Sequence, residues 1–101
     1  MLGPTTPYSS VKHGDFKYVG YTGVYNVIDY SAVSFPSGVT VDKAVDTPAA
    51  DYKAQSEFCQ AAHDSYDAEA VHGMPVSLQL VAKRLEEEKV LAMTATVRRA
   101  L

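Results

Sequence analysis

The segment of residues 76–82 constrains the fold more than any other part of the sequence. Successive side chains of an extended strand point to opposite faces, so this segment has two distinct sides. One side is wholly apolar and carries Val76, Leu78, Leu80 and Ala82. The other side is mixed and carries Ser77, Gln79 and Val81. We predict a half-buried strand after a turn at Gly73-Met74-Pro75, with Gln79 hydrogen-bonded to a neighbouring segment.

Residues 84–101 have the periodicity of an amphipathic helix. Apolar side chains recur at steps of three and four, at Val90, Met93, Val97 and Leu101. Arg84 stands four residues before Glu88, the spacing of a helical ion pair. Three glutamates near the start and two arginines near the end also suit the helix dipole. We predict one helix over the whole segment.

The rest of the chain has weaker patterns. Residues 1–15 are rich in Pro, Gly, Ser and Thr, which predicts an irregular lead-in. We predict a helix over residues 22–30 with Thr22 as its cap, and a second helix over 51–66 that begins between Asp51 and Ser56. A short strand over residues 32–35 should stop at Pro36-Ser37-Gly38, because proline cannot donate to a sheet ladder. Residues 39–50 have no sustained period and are interpreted as a surface loop.

The order helix, strand, helix, strand, helix is typical of an α/β layer in which helices pack on a sheet. With 47% hydrophobic residues, the chain has the composition of a globular protein. Two or three strands would leave open sheet edges and little to cover the apolar faces. We therefore predict a single partial domain over residues 1–101, at the flank of a larger sheet domain, and self-association through exposed strand edges.

Charge and composition exclude several classes of partner. A net charge of −3, with no basic block beyond Arg98-Arg99, gives no electrostatic footprint for nucleic acid. No run approaches the roughly 20 apolar residues of a membrane span, and residues 1–8 lack the pattern of a secretory signal. A single cysteine, Cys59, cannot form an internal disulfide. We expect a cytoplasmic protein with no nucleic-acid partner, no membrane association and no cofactor.

Four separated segments carry a resemblance to a known family. They are residues 18–30, 31–36, 73–81 with a Gly-x-Pro-Val-x-Leu-Gln pattern, and 84–91. In order and spacing they resemble the C-terminal part of amidase-signature hydrolases of the acetamidase-like branch. Ser77 and Ala82 depart from the glycines of many relatives, but both are small. The resemblance implies the C-terminal fragment of an α/β/α sandwich, with two or three strands and helices packed on them.

The resemblance also implies a chemistry, the hydrolysis of carboxamides to a carboxylic acid and ammonia or amine by a Ser-Ser-Lys triad. The family's triad belongs to a Gly/Ser-rich half upstream, and no Gly-Gly-Ser-Ser-like stretch occurs here. We therefore expect a small-molecule amide as the partner of the full-length enzyme and no activity from this chain alone. The alternative is a non-catalytic interaction or scaffold protein derived from an amidase tail.

The predicted helix at residues 22–30 supplies the candidates for substrate contact. Tyr25, Asn26 and Asp29 are the candidate substrate-binding residues, although capping or hydrogen-bond bracing is the favoured interpretation of Asn26 and Asp29. Four tyrosines form a further aromatic set that either lines a substrate channel or packs the helix, namely Tyr18, Tyr21, Tyr25 and Tyr30.

Other reactive residues are better explained without catalysis or metal. Ser9-Ser10 and Lys12 lie in the irregular lead-in, where a nucleophile and its base would lack rigid support. Cys59 and His63, four apart on a helix, could share a metal but have no further ligands nearby in sequence. Loop histidines beside glycines, His13 and His72, are interpreted as solvated polar residues. We predict no catalytic residue and no metal ligand in this chain.

Overall fold

The structure is a computed structural model that describes all 101 residues. The three strands are β1 (Leu2–Pro4), β2 (Ser31–Thr40) and β3 (Pro75–Ala82). The four helices are α1 (Gly20–Val27), α2 (Glu57–Asp64), α3 (Ala68–Val71) and α4 (Glu87–Ala100). The strands form one antiparallel sheet in the order β1-β3-β2. This arrangement is the predicted layer of sheet and helices.

Strand β3 is the centre of the sheet, and its residues from Gln79 to Ala82 are all buried, so its second half is covered on both faces and is not half-buried as predicted. Leu80 pairs with Leu2 of β1 on one side and with Val33 of β2 on the other. Directly paired residues of antiparallel strands share a face, so these apolar side chains gather on one side of the sheet. We call this side the core face.

The core face is covered by α4. The buried cluster consists of Phe35, Leu80, Ala82 and Val90, with Val33, Leu78, Met93 and Val97 partly buried against it. Val90 is 2% exposed, which makes it the most completely buried large side chain of the chain. Apolar burial of this kind contributes roughly 1.5–3 kcal/mol for each fully buried side chain. The predicted apolar faces of β3 and α4 therefore pack against each other.

The strand predictions need two corrections. Residues 2–4, assigned to the irregular lead-in, form β1, because β3 offers an unpaired edge to which even a Gly-Pro segment can bond. Strand β2 does not stop at Pro36 but continues to Thr40. It is an edge strand, so the missing N–H of Pro36 is tolerated there, and the register shifts between Pro36 and Thr40.

α1 begins before its predicted start, and α2 begins directly after the range predicted for its start. α1 starts at Gly20 rather than Thr22, and the Thr22 hydroxyl donates to the Val19 carbonyl oxygen instead of capping the helix. α2 starts at Glu57, with Ser56 as a true cap whose side chain accepts from the Cys59 N–H. The short α3 was not predicted, since four residues are too few for a periodic signal.

The last helix is shorter than predicted. Leu85 has a φ of 60°, in the left-handed region, so residues 84–86 form a turn and α4 begins at Glu87. Arg84 therefore cannot pair with Glu88 along one helix, and its Nε lies 2.8 Å from Asp29 Oδ2 instead. The expected dipole pattern is present, with acidic residues in the first turn of α4 and arginines in the last.

Burial is very uneven across the molecule. Nine of the 101 residues are buried, and α1 and α2 contain none of them. Exposed large hydrophobic residues outnumber the buried ones, and Val27 of α1 is 85% exposed. None of the four helices combines the length and the apolar character that crossing a bilayer requires.

Candidate functional site

The three candidate substrate-binding residues lie at different places along one helix and its exit. Tyr25 is half-buried in α1, and its hydroxyl donates to the Met1 sulfur at 3.9 Å. Asn26 is exposed on α1. Asp29 follows the helix with a φ of 58°, a left-handed conformation that aspartate adopts more readily than most residues. The structure therefore does not bring the three side chains to one point.

Asp29 lines a cleft of about 380 Å³ between the turn that follows α1, the start of β2 and the start of α4. Arg84 forms an ion pair with Asp29 at this cleft, and Tyr30 and Val90 also line the cleft. Both side chains of the pair are largely exposed, so the pair contributes little to stability. Its effect is geometric, since it joins the two turns with left-handed residues, at Asp29 and Leu85. This contact is consistent with the bracing interpretation of Asp29, and substrate contact by Asp29 stays a prediction.

The four tyrosines do not form a single cluster. Tyr18 contacts Tyr21 edge-on at 6.1 Å between ring centroids and meets Phe58 of α2 at 5.5 Å. Tyr25 points toward Met1, and Tyr30 lines the Asp29 cleft. Tyr18 and Tyr21 thus attach α1 to α2 by aromatic packing.

Lys12 is held in a way that is unsuited to a catalytic base. Its Nζ lies 2.9 Å from Asp67 Oδ2, and both side chains are substantially exposed. The hydrogen bond and charge of Asp67 raise the pKa of Lys12, whereas a lysine base needs a lowered pKa. The same contact, followed by the Ala70 N–H, lowers the pKa of Asp67, which also caps α3. Ser9, Ser10 and Lys12 therefore form no nucleophile–base pair.

Cys59 and His63 do share one side of α2, and they line a second cleft of about 610 Å³. His63 stacks on Tyr52, with 4.3 Å between the ring centroids. No group of three or more His, Cys, Asp or Glu side chains is placed to hold a metal ion. Of the two loop histidines, His72 accepts a hydrogen bond from the Lys43 N–H through Nδ1 at 3.2 Å.

The Cys59 thiol has an unusual environment that the sequence did not indicate. The hydrogen bond with Ser56 lowers the pKa of Cys59, and the Tyr52 hydroxyl adds to this lowering, while partial burial opposes it. Partial burial, and then the neighbouring Cys59, raise the pKa of Tyr52. Tyr52 is seven residues away in a loop, so no periodic pattern could have connected it with Cys59.

Gln79 confirms the predicted hydrogen bonding of the mixed face of β3. Its side chain is buried at 4% exposure, and its Nε2 donates to the Pro4 carbonyl oxygen at 2.8 Å and to the Tyr21 carbonyl oxygen at 2.7 Å. One carboxamide thus ties β1 and α1 to the centre of the sheet. This contact positions α1, and with it the candidate residues Tyr25 and Asn26.

Comparison with known proteins supplies the family. A family model described as amidase matches residues 1–91. The chain is 41% identical to an acetamidase of Aspergillus oryzae over 102 aligned residues and 39% identical to an acetamidase of Emericella nidulans, covering all of this chain and 18% of each relative. A solved structure of a fatty acid amide hydrolase superposes with a TM-score of 0.82 at 32% identity, over 95% of this chain and 17% of that one. The chain thus spans about a fifth of the length of these relatives. These matches in sequence and fold show that the chain belongs to the amidase family.

Proposed function

We propose that this chain is the C-terminal part of an enzyme that hydrolyses small linear carboxamides to a carboxylic acid and ammonia or amine. The observation that carries the proposal is that sequence and fold point to the same family. The amidase family model matches residues 1–91, and the fold superposes on a fatty acid amide hydrolase structure with a TM-score of 0.82. The names of the two acetamidases favour a small amide as substrate. The single unpaired cysteine favours a reducing, cytoplasmic setting.

We propose further that the chain alone does not turn over amides. A serine nucleophile needs an adjacent base and fixed donors for the oxyanion. Lys12, the lysine nearest in sequence to Ser9 and Ser10, is engaged with Asp67 and has a raised pKa. The contribution of this segment to catalysis is therefore structural, through the sheet and the helix it holds against the sheet.

The helix α1 is the part of the chain that we propose to face the substrate. Val24 and Val27 of α1 and Ile28 directly after it are all exposed, so no other part of this chain covers them. Gln79 fixes the helix from the sheet side through the Tyr21 carbonyl oxygen. Tyr25 and Asn26 of this helix would then form part of an acyl-pocket wall, and the Asp29–Arg84 pair would hold its exit.

A segment exchange tests the proposal directly. The matching segment of the Aspergillus oryzae acetamidase, 18% of its length, is replaced by these 101 residues, and ammonia release from acetamide is measured. We expect the chimera to hydrolyse acetamide and the isolated chain to release no ammonia above buffer. A chimera that is folded by circular dichroism but inactive would overturn the first part, and turnover by the isolated chain would overturn the second.

The chimera also tests the candidate residues. Tyr25→Ala and Asn26→Ala should each change kcat/KM for acetamide, because a pocket wall acts through substrate contact. The matched control is Glu88→Gln on the exposed side of α4, which should leave kcat/KM unchanged. Equal kinetics in all three variants would remove Tyr25 and Asn26 from the substrate site.

A non-catalytic interaction protein is the second candidate function. It is favoured by the exposed apolar side chains of α1 and α2, such as Val27 and Phe58. This alternative requires a chain that folds by itself, so a cooperative thermal transition of the isolated chain would support it. A broad, uncooperative transition would leave the amidase fragment as the better description.

A further inference from the structure

Helix α1 presents a side to solvent that is suited to burial. Val24, Val27 and Ile28 follow at helical steps of three and four positions, so they share one side of the helix, and all three are exposed. Residues 18–28 include no Asp, Glu, Lys, Arg or His. Asn26, a candidate for substrate contact, lies on the other side of the helix. We name the side with Val24, Val27 and Ile28 the α1 apolar face.

Helix α4 shows how this chain builds a helix that faces water. One side of α4 packs on the sheet through Val90, Met93 and Val97. Charged residues stand at both ends of α4 and are exposed, namely Glu87, Glu88, Lys89, Arg98 and Arg99. Charged side chains on the outer side are the normal pattern of a surface helix. The absence of any charge from α1 therefore indicates a helix made for contact with another surface.

The outer edge of β2 lies next to the α1 apolar face. α1 ends at Val27 and β2 begins at Ser31, and no strand pairs with β2 on the side away from β3. The backbone groups of such an edge can bind a further strand. A helix of eight residues is about 12 Å long, too short to supply alone the roughly 800 Å² that each partner buries in a specific complex. A stable partner must therefore cover both features.

The comparisons indicate which partner has this size. The segment that matches this chain is 18% of each acetamidase and 17% of the fatty acid amide hydrolase chain, so most of each relative lies outside it. The TM-score of 0.82 shows that the strands and helices have the same arrangement here as within that much longer chain. The α1 apolar face thus already has the form that it takes within a whole amidase, and a preformed surface binds at a lower entropic cost.

We propose that the α1 apolar face and the outer edge of β2 dock an amidase-family body without a covalent link between the two. The body is an amidase chain from which the segment matching these 101 residues has been removed. The contact, and not the peptide connection, holds the segment in place. This inference rests on the proposed function for the kind of partner, and it adds that the docking surface works between separate chains.

A cleavable chimera tests the docking. The 101 residues replace the matching segment of the Aspergillus oryzae acetamidase, and a flexible linker with a site for a specific protease precedes Met1. After cleavage we expect the 10.9-kDa chain to co-elute with the acetamidase body in size-exclusion chromatography and most of the ammonia release from acetamide to remain. Elution of the 10.9-kDa chain by itself would overturn the proposal, even where the uncut chimera is active.

The same experiment separates this inference from the proposed function. A folded chimera that is inactive before cleavage contradicts the amidase function, whereas co-elution after cleavage still supports docking. An active chimera whose parts separate after cleavage contradicts docking alone. An insoluble chimera counts against docking as well, because the body would cover a matching face.

Paired valine variants locate the contact. Val27→Lys should weaken the association of the cleaved parts about tenfold or more, because an ammonium would be buried on the α1 apolar face without a partner. The control is Val45→Lys in an exposed turn, which should co-elute like the parent. Both valines are exposed in the isolated chain, so circular dichroism of the isolated variants should match that of the parent. Equal association of the two variants would overturn the proposal. Dimers of the isolated chain that Val27→Lys dissociates would assign the face to a second copy and overturn it too.

Discussion

The two sides of the sheet differ in how they are completed. On the core face, β2, β3 and α4 bury Phe35, Leu80 and Val90. On the opposite side, α1 and α2 have no buried residue, and aromatic contacts such as that of Tyr18 with Phe58 hold them. The first side is centred on β3 and α4, which are consecutive in sequence, whereas the second joins β3 to α1, which lies far from it in the chain.

The difference shows how a chain that spans about a fifth of its relatives' length keeps part of their fold. An amphipathic helix directly after a half-buried strand can pack back onto it without any other part of the protein. The apolar side chains of α1 have no such neighbour within the chain, so they stay in water. A small hydrophobic core with large exposed apolar surface is typical of an interface that a larger body covers.

The largest effect should come from weakening the core face. Leu80→Ala removes a side chain that is 3% exposed, and the resulting cavity should cost about 2–5 kcal/mol of unfolding free energy. The matched control is Leu91→Ala on α4, where the side chain is 58% exposed and the change should be about 0.5 kcal/mol or less. Urea unfolding followed by circular dichroism measures both. Similar losses for the two variants would mean that α4 is not docked as described.

The opposite side should depend most on Gln79. Gln79→Leu leaves the carbonyl oxygens of Pro4 and Tyr21 without their donor, which should cost about 1–3 kcal/mol. Gln60→Leu is the control, since its amide donates only to exposed Asp64 on α2. Amide hydrogen exchange should show faster exchange in β1 and α1 of Gln79→Leu, with β3–α4 contacts retained. Unchanged exchange in α1 would contradict the bridging role.

A smaller effect is expected at the outer edge of β2. Strand edges with unpaired backbone groups pair readily with other chains, and Ala32 is an exposed residue of this edge. The apparent mass from light scattering should rise above 10.9 kDa with concentration, and Ala32→Lys should shift it back toward the monomer. Ala95→Lys on α4 is the control and should associate like the parent chain. If Ala32→Lys associates equally, the surface involved is the apolar side of α1.

The smallest effect should come from the Lys12–Asp67 pair. The pKa of Asp67 is lowered in the folded chain, so its contribution is complete above the ordinary value of 3.8 and is lost as the pH falls through the lower value. The pKa of Lys12 is raised, so its contribution is complete below 10.5 and is lost as the pH rises through the raised value. Asp67→Asn keeps a capping side chain on α3 but removes the charge, and it should flatten the acid end of a plot of Tm against pH. An unaltered plot would mean that solvent screens the pair completely.

Sequence reasoning succeeded where one local pattern decides the structure. The alternation around Gln79 predicts the strand β3, and the periodicity around Val90 predicts both the helix α4 and the face that it buries. The two small residues that replace glycines of many relatives, Ser77 and Ala82, both lie on β3. The family and a layer of two or three strands with helices packed on them were therefore predictable from a few segments.

Sequence reasoning failed where a distant segment decides the structure. Residues 2–4 become a strand only because β3 lies beside them, and β2 passes Pro36 only because its outer edge has no partner. The spacing of Arg84 and Glu88 fits a helical ion pair. The left-handed conformation of Leu85 turns the chain instead, so Arg84 pairs with Asp29. The proximity of Tyr52 to Cys59 is likewise a tertiary contact without a periodic signal.

The two hydrogen bonds of Gln79 have a kinetic consequence. They join this residue to positions 75 and 58 residues earlier in the chain. Contacts between residues so distant in sequence form slowly, because a long loop must close before either bond contributes. The packing of α4 on β3 can thus form early, because the two elements are consecutive in sequence, whereas β1 and α1 join the sheet last.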